Sequence, residues 1–149
     1  SGDRRDNEAL RLTMALGAFD RLLHARDLLG PHYGSEHLLV ATDMNNLGKT
    51  LAEVGEMEEA EALLRRALDR RRSLLGSDHP ETAGTMDNLA GMLQAAGRLD
   101  EAEALFREAL DVRRERFGDN HLLVAESLNN LASLVVERDQ RPPTGDEVP

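Results

Sequence analysis

Residues 37–78 slide onto residues 79–120 without a gap and match at 19 of 42 positions. His37-Leu38-Leu39-Val40-Ala41 returns letter for letter as His121-Leu122-Leu123-Val124-Ala125, with His79 midway, so the period is 42 residues each time. Self-similarity at one fixed spacing of this length means a supersecondary unit copied and stacked, because one such unit cannot bury its own apolar face. This constrains the fold more than composition does. It also turns the functional question from an enclosed pocket toward a surface.

Within each period the apolar spacing is helical. Val40, Met44, Leu47, Leu51 and Val54 stand three or four apart until Gly55 breaks the stripe. Residues 57–75 read as a second helix, with Glu58, Glu59 and Glu61 early and Arg70, Arg71 and Arg72 late, the order the helix dipole favours. Gly76 is its stop. Asp78-His79-Pro80 then opens a helix, with Pro80 in the first turn where its missing N–H costs nothing. Met86, Leu89 and Leu93 make its stripe and Gly97 ends it. Residues 99–117 repeat the partner helix, closed by Gly118, and a closing helix over 122–138 carries Val124, Leu128, Leu131 and Val135.

The organisation expected is therefore one unit over 37–78, a second over 79–120 and a closing helical segment over 121–139. Residues 7–36 read as a degenerate leading unit reduced to one helix, with Gly17 a candidate kink and Gly30-Pro31 its end. On the 42-residue register Ala18 and Ala25 fall where Ala60/Ala67 and Ala102/Ala109 fall, and Gly34 falls with Gly76 and Gly118. Residues 1–6, in which Ser1-Gly2 look like a cloning scar, are expected to be disordered. So is the Pro-containing tail over 140–149.

The stripe and its partner helix resemble the tetratricopeptide repeat (TPR). Its large-x-x-Leu-small-x-x-large run corresponds to Met44, Leu47, Gly48 and Leu51, then to Met86, Leu89, Ala90 and Leu93. Its Ala-x-x-x-large element corresponds to Ala60 and Leu64, then Ala102 and Phe106, followed by Ala67 and Ala109. The common repeat is shorter than this one, and its usual proline after the second helix is replaced by Arg72 and Arg114. The 42-residue period, His-Pro-Glu-Thr over 79–82 and Asn-Asn-Leu at 45–47 and 129–131 resemble the kinesin-light-chain subtype. The resemblance implies an all-α fold, a right-handed TPR-type α-solenoid of antiparallel helix pairs.

Composition removes several function classes. A net charge of −10 disfavours a phosphate backbone or an anionic membrane surface as partner. There is no cysteine, hence no disulfide, thiol nucleophile or thiolate metal site. No apolar run approaches the ~18 residues of a membrane span and no signal peptide is visible, which points to the cytoplasm. Basic residues are 17 Arg and one Lys, a bias associated here with a GC-rich bacterial genome. Aromatics are only Phe19, Phe106, Phe117 and Tyr33, so the core is aliphatic.

The resemblance also assigns a binding face, because in this family the first helix of each unit lines a concave groove. By register its side chains are Thr42, Asn45, Asn46, Lys49 and Glu53; then Gly84, Asp87, Asn88, Gly91 and Gln94; then Glu126, Asn129, Asn130, Ser133 and Glu137. The column Asn46, Asn88, Asn130 is suited to gripping a peptide backbone, since a carboxamide donates and accepts together. The alternative is that each Asn bonds within its own repeat. Relatives that clamp a terminal carboxylate use Lys or Arg where this chain has Thr42, Gly84 and Glu126, so that clamp is not expected. Four carboxylates, Glu53, Asp87, Glu126 and Glu137, against Lys49 alone favour a neutral or basic segment.

The repeated histidines lie one unit apart, roughly 10 Å, too wide to share a metal ion with ligands at about 2 Å. They read as helix caps or loop packing. The Arg-rich stretches at 65–72 and 113–116 alternate with acids and read as a solvated helix face rather than a nucleic-acid contact. No catalytic triad, phosphate loop or zinc spacing is present, so neither enzyme nor cofactor is expected. The function expected is a protein-interaction module, with a homodimerising scaffold, or a regulatory arm of a larger signalling protein, as the alternatives.

Overall fold

The structure, a computed structural model, describes residues 4, 5, 8, 9, 11 and 34–142. From residue 34 onward it consists of five helices: α1 (Gly34–Val54), α2 (Met57–Leu75), α3 (Pro80–Ala95), α4 (Leu99–Phe117) and α5 (Leu122–Gln140). Among the described residues there is no strand. Each helix packs on the next along the chain, and α1 also packs on α3, so first helices stack on first helices in an all-α solenoid.

The loops follow from local chemistry. Gly76 and Gly118 hold φ of 94° and 78°, a left-handed conformation that a side chain disfavours, and end α2 and α4. Beyond them His79 and His121 sit extended as N-caps, and each imidazole Nδ1 accepts the backbone N–H two residues on, at 3.1 Å. His121 also stacks on Phe117, ring centroids 4.4 Å apart. Pro80 opens α3 at its first turn.

Close packing explains the small residues. Ala60, Ala67, Ala90, Ala102 and Ala109 are fully buried in a core built around Met44, Leu64, Met86, Leu89, Leu93 and Phe106. Gly48 marks the tightest approach: a Cβ there would lie 2.7 Å from Leu64 Cγ and 3.4 Å from the Ala60 carbonyl.

Three boundaries differ from expectation. α1 begins at Gly34, so the glycine expected to close a leading unit instead starts a helix. α5 continues through Gln140, and Arg141 then turns extended because Pro142 excludes helical backbone from the residue before it. The disordered tail expected from 140 is corrected accordingly: Gln140 is helical and Arg141 Nη1 donates to the Gly97 carbonyl at 3.2 Å. At the other end Arg4 and Arg5, expected to be disordered, are helical, in keeping with the helix propensity of arginine. Glu8, Ala9 and Arg11 are helical too, and the rest of the expected leading helix lies outside the described residues, as does the His37 side chain.

Candidate partner-binding surface

The candidate residues divide among α1, α3 and α5. On α1, Asn46, Lys49 and Glu53 are exposed, Thr42 is half-buried and Asn45 is buried. On α3, Asp87, Asn88 and Gln94 are all half-buried. On α5, Glu126, Asn129 and Ser133 are exposed, while Asn130 and Glu137 are half-buried.

Two hydrogen bonds join these helices across unit boundaries. Asn88 Nδ2 donates to Asn45 Oδ1 at 3.0 Å, linking α3 to α1. Gln94 Nε2 donates to Glu137 Oε2 at 2.8 Å, linking α3 to α5. The asparagine column is therefore not uniform. Asn88 spends a donor on the preceding unit, whereas Asn46, Asn129 and Asn130 make no side-chain hydrogen bond among the described residues. A bond within each repeat, the alternative reading of the column, is not what Asn88 makes.

Two residues of the second helices take part that were assigned to a solvated face. Arg71 and Arg113 are each only 7% exposed, one period apart. Arg71 Nη1 donates to the Glu81 carbonyl at 2.9 Å and to Thr85 Oγ1 at 2.8 Å, and its Nη2 donates to Thr42 Oγ1 at 3.2 Å. Arg113 Nη1 donates to Ser127 Oγ at 2.6 Å and pairs with the Asp87 carboxylate. Thr85 and Ser127 are also one period apart, so both arginines occupy one slot that fastens a second helix to the next first helix. The difference lies at the position shared by Asn45 and Asp87. A carboxylate there captures Arg113; a neutral amide leaves Arg71 to the Thr42 hydroxyl. The signal was present in sequence, since Arg71 continues the buried stripe Ala60, Leu64, Ala67 and Arg113 continues Ala102, Phe106, Ala109.

This pairing revises the electrostatics of the surface. Burial pushes the Asp87 carboxyl up against the opposing pull of Arg113, and Glu126 adds to the rise. Asp87 is engaged with Arg113, which leaves Glu53, Glu126 and Glu137 facing Lys49. The surface remains acidic, with three carboxylates to one ammonium.

Ion pairs tie the second helices to the following unit, with partners in the α3–α4 turn, on α4 and on α5. Arg98 meets Glu61 at 2.5 Å and Glu101 at 2.8 Å, and Arg65 meets Glu61 at 3.2 Å and Glu101 at 3.1 Å. Arg72 meets Glu108 at 3.0 Å, and Arg138 pairs with Glu103. The hydrogen bond from Arg98 holds the Glu61 carboxyl below the ordinary carboxylate range, and that from Arg138 does the same for Glu103. These groups lock unit to unit.

The comparisons agree with this architecture. One tetratricopeptide-repeat sequence profile matches residues 40–81 and another matches residues 81–142. Among solved structures, the nearly identical TPR-like repeats of a kinesin-light-chain-type protein from Podosopora anserina align with a TM-score of 0.71 at 19% identity, over 92% of this chain and 64% of that one. A single-substitution variant of that protein gives 0.71 at 18% identity, over 92% and 63%. BtubC (BKLC) from P. vanneervenii gives 0.62 at 21% identity, over 91% and 50%. At these identities the likeness is one of fold, and the chain spans less than two-thirds of each structure's length. No curated protein matches the chain. Among the described residues no helix is long and apolar enough to cross a membrane. With its repeat profiles contiguous from residue 40 to 142 and its helix pairs stacked in register, the chain belongs to the tetratricopeptide-repeat family of protein-interaction modules.

Proposed function

We propose that the chain binds a partner protein by taking an extended or helical segment along the face shared by α1, α3 and α5. The observation that carries this reading is the asymmetry between the two sets of helices. On the second helices Glu61, Arg65 and Arg72 are held in ion pairs with Arg98, Glu101 and Glu108 of the next unit. On the first helices Asn46 and Asn130, two periods apart, and Asn129 beside the latter keep their amides unspent among the described residues. An unspent carboxamide can bond the backbone of any bound segment, and Asn88 retains a second N–H for the same purpose.

Glu53, Glu126 and Glu137 outweigh Lys49, so the segment favoured is neutral or basic. Selection of short randomised peptides on the intact chain tests this. Enriched peptides should carry neutral or positive net charge and lose binding to an Asn88→Ala, Asn130→Ala variant. Enrichment of acidic peptides, or binding indifferent to the two substitutions, overturns the proposal.

A further inference from the structure

Arg71 and Arg113 fill one slot a period apart, yet their surroundings differ in charge at two positions. Arg113 pairs with Asp87, and Glu126 stands close enough to push that carboxyl up. One period earlier Asp87 becomes Asn45 and Glu126 becomes Gly84. Both acids are lost together. Asn45 is neutral, and its Oδ1 accepts from Asn88 at 3.0 Å.

Arg71, only 7% exposed, is thereby left with no ion pair among the described residues. Its Nη1 spends both N–H groups, on the Glu81 carbonyl and the Thr85 hydroxyl. Its Nη2 spends one on the Thr42 hydroxyl and keeps the other. A cation this deep is costly to hold unpaired. Burial pushes the Arg71 guanidinium down, and the exposed Glu81 carboxylate opposes that only through space. A carboxylate brought to Arg71 offsets the cost.

There is room for one. Where α5 carries the Glu126 side chain, α3 has Gly84, and nothing lies within 4 Å of where a Cβ would stand. Gly84 is half-buried between Glu81 and Thr85, the two α3 residues that Arg71 contacts. We infer that Arg71 is the seat of an acidic side chain carried by the bound segment. It enters over Gly84, between α1 and α3, and supplies what Asp87 supplies to Arg113. The inference rests on the segment-binding reading and sharpens it: the segment, neutral or basic overall, carries one Asp or Glu at a fixed place. Glu126, exposed in the same row on α5, suits a basic residue further along, so the two ends of the row set the segment's direction.

Selection of random peptides with amidated C-termini tests this, since any carboxylate they carry is then a side chain. Wild type should enrich peptides with one acid at a constant position among neutral or basic residues. Two variants bring an internal carboxylate to Arg71. Asn45→Asp restores the arrangement around Arg113 and still accepts from Asn88, and Gly84→Glu fills the hollow. Changing the constant acid of an enriched peptide to its amide should weaken binding to wild type about tenfold, and to either variant less than about twofold. Enriched peptides without a constant acid, or an acid-to-amide change that costs the variants as much as wild type, overturn the inference and leave the segment-binding reading standing. Peptides indifferent to the Asn88→Ala, Asn130→Ala variant overturn both.

Discussion

Replacing Gly48 with alanine should destabilise the chain, although the same change in a helix interior ordinarily stabilises it. Alanine gains about 1 kcal/mol over glycine in helix propensity. At Gly48 the added Cβ would sit 2.7 Å from Leu64 Cγ and 3.0 Å from Leu64 Cδ2. Leu64 is fully buried and the Ala60 carbonyl lies 3.4 Å from the same Cβ, so the clash is met by shifting α2 away from α1. Overpacking of this kind costs ~1–3 kcal/mol, leaving a net loss of about 1 kcal/mol after the propensity gain. Gly84 and Gly91 serve as references, since nothing lies within 4 Å of a Cβ at either. Alanine at each should stabilise by ~0.5–1 kcal/mol, which opens a gap of about 1.5–2 kcal/mol between sites of identical chemistry. Urea denaturation followed by circular dichroism resolves that gap. In a Leu64→Ala background the sign at position 48 should reverse, because the obstructing atoms are gone. If Gly48→Ala stabilises as much as Gly84→Ala, the close crossing of α1 and α2 is wrong.

Further expectations concern the buried charges. Arg113→Ala should cost about 3–5 kcal/mol, because it strands the Asp87 carboxylate and the buried Ser127 hydroxyl, whereas Arg113→Met with Asp87→Leu should cost far less. Equal losses in chemical denaturation would contradict the pairing. The pH dependence should contain two opposed contributions. Burial raises Asp87, so the native chain keeps that proton where the unfolded chain has released it, and this contribution to stability falls as pH rises through that interval. Asp87→Asn should remove that slope. Glu61 is lowered by its hydrogen bond from Arg98, so its contribution is complete above the ordinary carboxylate range and lost as pH falls through the lowered native value. Arg98→Ala should flatten this acid limb in denaturation curves taken across pH, and an unchanged limb would count against the Arg98–Glu61 pair.

The elements were legible where their signals are local. α2 and α4 begin and end where the 42-residue register places them, because Gly76 and Gly118 stop the helices and the capping histidines restart the chain a few residues later. α1 was not, since its start at Gly34 overrides a glycine that closes a loop in the other two copies. The recurring positions of the first helices could be read from the period, and their role as a binding face only from the family resemblance. Their commitments could not. Asn88 meets Asn45 across 43 residues and Arg113 meets Asp87 across 26, and such pairings depend on how far successive helix layers are offset. Arg71 and Arg113 were legible in principle, lying on the alanine-rich buried stripe, but their clustering with exposed arginines hid them among surface charges.

The central claim is that partners are held on the first helices and not on the ion-paired back. Amide chemical-shift mapping of the intact chain, titrated with a peptide enriched by selection, tests it most directly. The account predicts the largest side-chain amide shifts at Asn46, Asn88 and Asn130, with the amides around Glu61, Arg65 and Glu108 little moved. Shifts concentrated at Glu61, Arg65 and Glu108, with the asparagine amides unmoved, would contradict it.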